Sequence, residues 1–388
     1  MKFLRKLLGL KTEKEEPKAH RVLILGAGAS RAQWIWEQAD KPTETKIPPP
    51  LNADFFEIAS RIDGELTNDL LKEIQERWSE RKRPTSSVTS LTMEEAFDFV
   101  FEDALEHPED SNCRLLYGGL QSLIVSVIAH TTNTLCLNSS GPIDELLFYS
   151  LKAPHVGRIT VITFNYDLLV ERSLTSLAKA DAHNFGFSHF YGLPFSNIPT
   201  PPVSSGNDNQ MIRVLKPQGS LNWMINSRYA MYLSELNRLA ELKRLDLAGL
   251  EVFHDLEIPL DENNRFDQQR FCLDRLKPKW PFLMPPTRAM DKIRLPWLRR
   301  QNEAVSEAIG SANEIVVFGY SFQEANPLSQ SILSMLSNTE NPQRIVVVDP
   351  ADKVLRLVQS NTLATVKCIP SIHEMIWSLS LTPFADGS

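Results

Sequence analysis

The chain has 388 residues, enough for a sizeable core and for one large or two ordinary domains. With 42% hydrophobic and 23% charged residues it has the composition of an ordinary globular protein, not of a disordered or fibrous one. A formal net charge of −7 excludes whole-molecule attraction to nucleic acid; the basic segment 279–300, with Arg288, Lys292, Arg294, Arg299 and Arg300, is the local candidate for such contact.

Residues 1–20 read as an amphipathic segment and a linker. Phe3, Leu4, Leu7 and Leu8 share one helical face beside Lys2, Arg5 and Lys6, and residues 11–18 are mostly charged. The segment lacks the continuous apolar run and small-residue cleavage site of a signal peptide. It could dock on a partner, lie on a membrane surface or pack on its own domain. No apolar stretch reads as a membrane span. Cys113, Cys136, Cys272 and Cys368 are scattered, and no CxxC occurs, which points away from structural zinc and toward a reducing, cytoplasmic compartment.

A main domain is expected over 21–375, followed by a tail over 376–388. Its first strand, 22–25, feeds Gly26-Ala27-Gly28-Ala29-Ser30 and then a helix. A stiff Ile47-Pro48-Pro49-Pro50 loop precedes another helix over 52–62. Residues 63–152 read as a helical insertion. Leu70, Leu71, Ile74 and Trp78 recur at helical spacing, and Thr92-Met93-Glu94-Glu95 offers a cap with acidic first-turn residues.

The β-branched run Ile159-Thr160-Val161-Ile162 is a buried strand ending in Thr163-Phe164-Asn165-Tyr166-Asp167, with a helix over 168–177. A short strand over 211–215 leads to Lys216-Pro217-Gln218-Gly219-Ser220. A second insertion, 225–296, is read as helical over 229–250 and then as loop and basic segment. Strands over 315–318, 345–348 and 366–369 alternate with helices over 297–309, 329–336 and from 354. The alternation predicts an α/β fold, a Rossmann-like doubly wound parallel sheet of about six strands with helical insertions.

Four segments just past apolar runs carry the chemistry. The two glycines of the first turn suit positive φ and a close backbone approach to phosphate, with the helix N-terminus facing a diphosphate; a tight structural turn explains them equally. Asn165 can hold a ribose hydroxyl or a water near an anomeric carbon. Asp167 can orient ribose, or simply cap the helix after it. Gly319-Tyr320-Ser321-Phe322 suits phosphate or ribose contact, and Asp349 ends a strand where doubly wound folds hold a ribose hydroxyl.

In this order the 26–30, 163–167, 216–223 and 319–322 motifs resemble the sirtuin-like family, and within it the bacterial NAD-hydrolysing proteins of antiphage defence. The resemblance spans roughly residues 21–369, with both insertions matching poorly. It implies NAD as substrate, cleaved to nicotinamide and ADP-ribose, and no metal. It places Gly26, Ala27, Gly28, Ser30, Asp167, Gly319, Ser321 and Asp349 along the dinucleotide and makes Asn165 the catalytic amide. It also implies a homo-oligomer with a separate activating partner, such as a HerA-type ATPase or an Argonaute-like protein. The chain departs from the family at Gln218, where a general-base His is usual in K-x-H-G-S. Glutamine cannot take a proton near neutral pH. The expectations left open are a disabled enzyme, an NAD- or ADP-ribose-binding scaffold or sensor, and another base, His183 and His189 being nearest in sequence.

Overall fold

The computed structural model describes residues 18–39, 46–80, 91–135, 141–180, 190–191, 212–226, 250–253, 255–271, 279–284, 296–322, 326–338, 344–349, 352–362 and 364–369. The N-terminal amphipathic segment, residues 229–249 of the expected 229–250 helix, His183, His189, Arg288, Lys292, Arg294 and the C-terminal tail lie outside them.

Strand β1 (Ala19–Leu25) leads into α1 (Ala27–Ala39). Five helices follow: α2 (Phe55–Ile62), α3 (Gly64–Glu80), α4 (Met93–Glu106), α5 (Ser111–Thr132) and α6 (Pro142–Lys152). Next come β2 (Val156–Thr163), α7 (Leu169–Ala180) and β3 (Ile212–Leu215). Strands β4 (Gly219–Asn226), β5 (Glu251–Val252) and β6 (Lys279–Leu283) precede α8 (Pro296–Gly310). The chain then alternates through β7 (Glu314–Phe318), α9 (Pro327–Asn338), β8 (Arg344–Val348), α10 (Asp352–Ser360) and β9 (Thr365–Ile369).

Six strands form one parallel sheet in the order β3-β2-β1-β7-β8-β9. Each corresponds to a predicted strand. Alternation along the strands divides the core in two. Leu23, Leu25, Val161, Val316 and Val346 face the helical insertion, while Val22, Ile24, Ile315, Val317 and Val347 face α8, α9 and α10. A sheet so covered on both faces is doubly wound.

The insertion is helical as predicted. Its α4 starts with a full capping box: Thr92 accepts from the Glu95 amide, and the Glu95 carboxylate accepts from the Thr92 amide. Contrary to the sequence reading, α5 is long and apolar enough to cross a membrane by length and composition; 78% of its apolar window is buried inside the protein, the position of a core helix. The second insertion differs more. Its described residues form short strands, turns and a one-turn helix (Gln268–Phe271), and the antiparallel sheet β5-β4-β6 begins at Gly219, before the expected boundary. Nearly every β4 side chain is buried, so the segment lacks the polar alternation that marks a half-exposed strand.

At the opposite edge of β1 from the carboxyl ends, His20 is buried between Thr160 Oγ1 at 2.9 Å and Ser311 Oγ at 3.1 Å. Burial and the nearby Arg158 charge lower its pKa from 6.5 to about 4. Between these pH values the unfolded chain binds this proton more readily than the folded one. The His20 contribution to stability is therefore complete above about pH 6.5 and is lost as the pH falls toward 4. Urea unfolding should show wild type losing on the order of 2 kcal/mol more than His20→Gln between about pH 7 and 4.5. Equal losses would remove His20 as the source.

Candidate functional site

The strand ends are in register. Leu25 pairs with both Thr163 and Phe318, and Phe318 pairs with Val348. The residues that follow, Gly26, Phe164, Gly319 and Asp349, therefore emerge along one sheet edge. After β1 the chain turns toward β2; after β7 it turns the other way, toward β8. The crevice between β1 and β7 is thus a topological switch point, where open α/β sheets bind ligands. A cavity of about 620 Å³ opens there, lined by all ten residues singled out from sequence: Gly26, Ala27, Gly28, Ser30, Asn165, Asp167, Gln218, Gly319, Ser321 and Asp349.

The glycine turn works differently from the expectation. Among the described glycines, positive φ occurs at Gly219 (90°) and Gly319 (61°), not at Gly26 or Gly28. What Gly26 and Gly28 supply is closeness. A Cβ on Gly26 would lie 2.5 Å from the Gly319 oxygen, and one on Gly28 would lie 2.8 Å from Gly319 Cα. Backbone bonds lock the two turns together: Gly26 N–H donates to Phe318 O (3.1 Å) and Gly28 N–H to Gly319 O (3.0 Å). Ala29 N–H donates back to Gly26 O at 2.9 Å. These amides are engaged, so attraction for an anion falls to the Ala27 end of α1 and its helix dipole.

Asn165 and Asp167 serve distinct roles. Asn165 Nδ2 donates to Gly26 O and to Ser30 Oγ, both at 2.9 Å. A carbonyl can only accept, so this contact fixes the amide orientation and leaves the Asn165 oxygen over for a ligand. Ser30 Oγ donates in turn to Asp167 Oδ2 at 2.6 Å, and Asp167 Oδ1 accepts from Leu169 N–H at 3.1 Å. Asp167 is thus a buried brace that also caps α7. Burial pushes its carboxyl up, against the Lys216 charge and the Ser30 bond.

Gln218 projects from the β3–β4 turn, which Gly219 closes with positive φ. Its backbone is held by Met284 N–H donating to Gln218 O at 2.9 Å. Beneath it Lys216, fully buried, donates to Glu171 Oε1 at 3.0 Å and to Asp167 O at 2.5 Å. The Tyr191 hydroxyl also donates to Glu171 Oε1, at 2.7 Å, and Asn222 and Ser220 extend this network. The conspicuous lysine of the 216–220 motif therefore supports the site from below.

Sequence reasoning missed several wall residues. Phe164 and Tyr320 stack at 4.2 Å between centroids, 12° from parallel, making an aromatic wall. Arg31, from α1, is tied to Asp54 at 2.6 Å and to Pro49 O at 2.7 Å, which anchors the proline loop as a rim. Glu94, on the first turn of α4, also lines the cavity, and burial with the Glu95 and Asp98 charges raises its pKa to about 8. Ile35 and Leu51 give the mouth an exposed apolar lip.

A metal-type group away from the cleft, Asp103, His107 and Cys113, has its ligand atoms within 4.8 Å of one another. The Arg77 guanidinium already occupies it, 3.1 Å from Asp103 and 3.0 Å from Cys113 Sγ. Burial and the flanking carboxylates push the Cys113 thiol up to about 12, so it remains a protonated, poor ligand.

Fold and cleft together define a doubly wound α/β protein with a cavity at its topological switch point. No protein-family model matches the chain, and no curated protein matches it. Among solved structures it is similar to a Sir2 point mutant described with a p53 peptide and NAD. That alignment covers 98% of this chain and 96% of the other, at 14% identity and a TM-score of 0.36. At that distance the likeness says nothing of activity, which has to be read from the cleft itself.

Proposed function

We propose that the chain binds NAD+ in this cleft and hydrolyses it to nicotinamide and ADP-ribose. The observation that carries the reading is the meeting of Asn165, Gln218, Asp349 and the two glycine turns around one cavity of about 620 Å³. That volume lies in the range of small-molecule and cofactor sites, roughly 300–1,000 Å³. The diphosphate lies against the Ala27 end of α1. The Asn165 oxygen holds the attacking water. The bond from ribose C1′ to the pyridinium nitrogen breaks with its electron pair leaving on nicotinamide, and water captures the oxocarbenium-like ribose. We further propose a cytoplasmic effector of bacterial antiphage defence, a homo-oligomer activated by a partner such as a HerA-type ATPase or an Argonaute-like protein. This part rests on the ordered motif resemblance alone.

Gln218 favours one second reading, a non-catalytic NAD- or ADP-ribose-binding scaffold or sensor, because its amide cannot accept a proton. Gln218→His separates the two. Nicotinamide release near pH 7 is expected to rise in the variant, by up to about 10²–10⁴-fold where Gln218 leaves the site with no base. Binding of NAD without release by either protein, alone or with candidate partners, would leave the scaffold or sensor reading. No binding by either would sink both.

A further inference from the structure

We propose that Glu94, reaching the cleft from the helical insertion, accepts the proton of the attacking water, the role that Gln218 cannot fill. The inference rests on the NAD-hydrolase reading.

Glu94 lines the same cavity as Asn165 and Gln218. Its placement is firm. Met93 N–H donates to Asn52 O at 3.2 Å, Glu94 N–H to Asn52 Oδ1 at 2.9 Å, and the Thr92–Glu95 capping box holds the same turn. Its carboxyl makes no hydrogen bond or ion pair with a described residue. An anchored backbone carrying an unpartnered carboxyl at a cleft wall is how a proton-transfer group is set.

The charges around it suit the task. On its own helix Glu95 and Asp98 oppose its ionisation, and with burial they bring its pKa to about 8, close to working pH. The same cavity is lined by Tyr166, Asp167, Tyr320 and Asp349. The tyrosine hydroxyls are buried and held neutral. Among the described residues of the wall, the cation is Arg31, which is already paired with Asp54. A bound pyridinium is therefore the positive charge that draws Glu94 into its ionised form. The step balances. The C1′–N bond breaks and neutral nicotinamide leaves with the electron pair, while the water oxygen bonds C1′. The water proton passes to the Glu94 carboxylate and then to solvent.

The test compares full-length wild type, Glu94→Gln, Gln218→His and the double variant, measuring NAD binding and nicotinamide release from about pH 6 to 9. Wild-type kcat/KM for release should climb through about pH 8, and kcat at a lower pH, because the bound pyridinium favours the ionised carboxylate. Glu94→Gln should lose about 10²–10⁴-fold in kcat with NAD affinity nearly unchanged. The double variant should regain activity with its pH limb moved toward the histidine range, about 6.5. Glu94→Gln should melt no lower than wild type at pH 8, because it removes a carboxylate that its surroundings disfavour. If it melts lower, Glu94→Asp decides, and it should keep the alkaline limb at reduced kcat. Wild-type rate or pH profile in Glu94→Gln, or a lost limb in Glu94→Asp, would overturn the inference. A silent wild type beside an active Gln218→His would overturn it while leaving the hydrolase reading intact. NAD binding without release in all four would overturn both.

Discussion

Lys216→Met is expected to destabilise the fold by about 3–5 kcal/mol, the usual cost of removing one partner from a buried ion pair. Lys216 and Glu171 are 0% and 1% exposed, with 3.0 Å between Nζ and Oε1. Methionine fills similar space, so the loss is mainly electrostatic. It leaves the Glu171 carboxylate with Tyr191 as its remaining donor among the described residues, and Glu171 Oε2 already lacks a hydrogen bond. The Asp167 carbonyl loses its 2.5 Å bond as well. Adding Glu171→Gln should recover part of the loss, since it removes the stranded charge. Urea unfolding of the single and double variants measures both. A drop under about 1 kcal/mol in Lys216→Met would mean that water reaches Glu171 and the network is not sealed.

Asn165→Ala should lower kcat for nicotinamide release by about 10²-fold or more, since a misplaced reacting group costs that much. Its amide is pinned by Gly26 O and Ser30 Oγ, so the opposing oxygen has one settled direction. NAD affinity should fall only a few-fold, because the α1 N-terminus and the Gly319 turn remain. The stability loss should be about 1–2 kcal/mol, from two hydrogen bonds. Unchanged kcat would remove Asn165 from the chemistry. Affinity and kcat falling together would make it a binding residue.

Several elements were legible because their cause is local. The six sheet strands are short runs rich in Val, Ile or Leu, bounded by polar or turn residues. Thr92 and Glu95 announce a capping box three residues apart, and the box is present. Asp167 reads as a cap and is one. The antiparallel sheet was not legible. Leu221 to Ile225 is buried without alternation, β5 is two residues long, and Lys279, Trp280 and Pro281 look like part of a basic loop. Glu94 was also hidden, because an acidic residue in a first turn satisfies the helix dipole and needs no second explanation.

By itself the sequence determined the fold class and the residues at each strand end, since strand period and turn chemistry act over a few neighbours. Only the tertiary structure decided what those ends do together. In-register pairing put Leu25, Thr163, Phe318 and Val348 in line and so gathered ten residues, spread from Gly26 to Asp349, on one cavity. Packing between turns, not positive φ, explained Gly26 and Gly28. A helix some seventy residues past the first turn supplied Glu94. Such contacts depend on which surfaces bury each other, and local pattern carries no record of that.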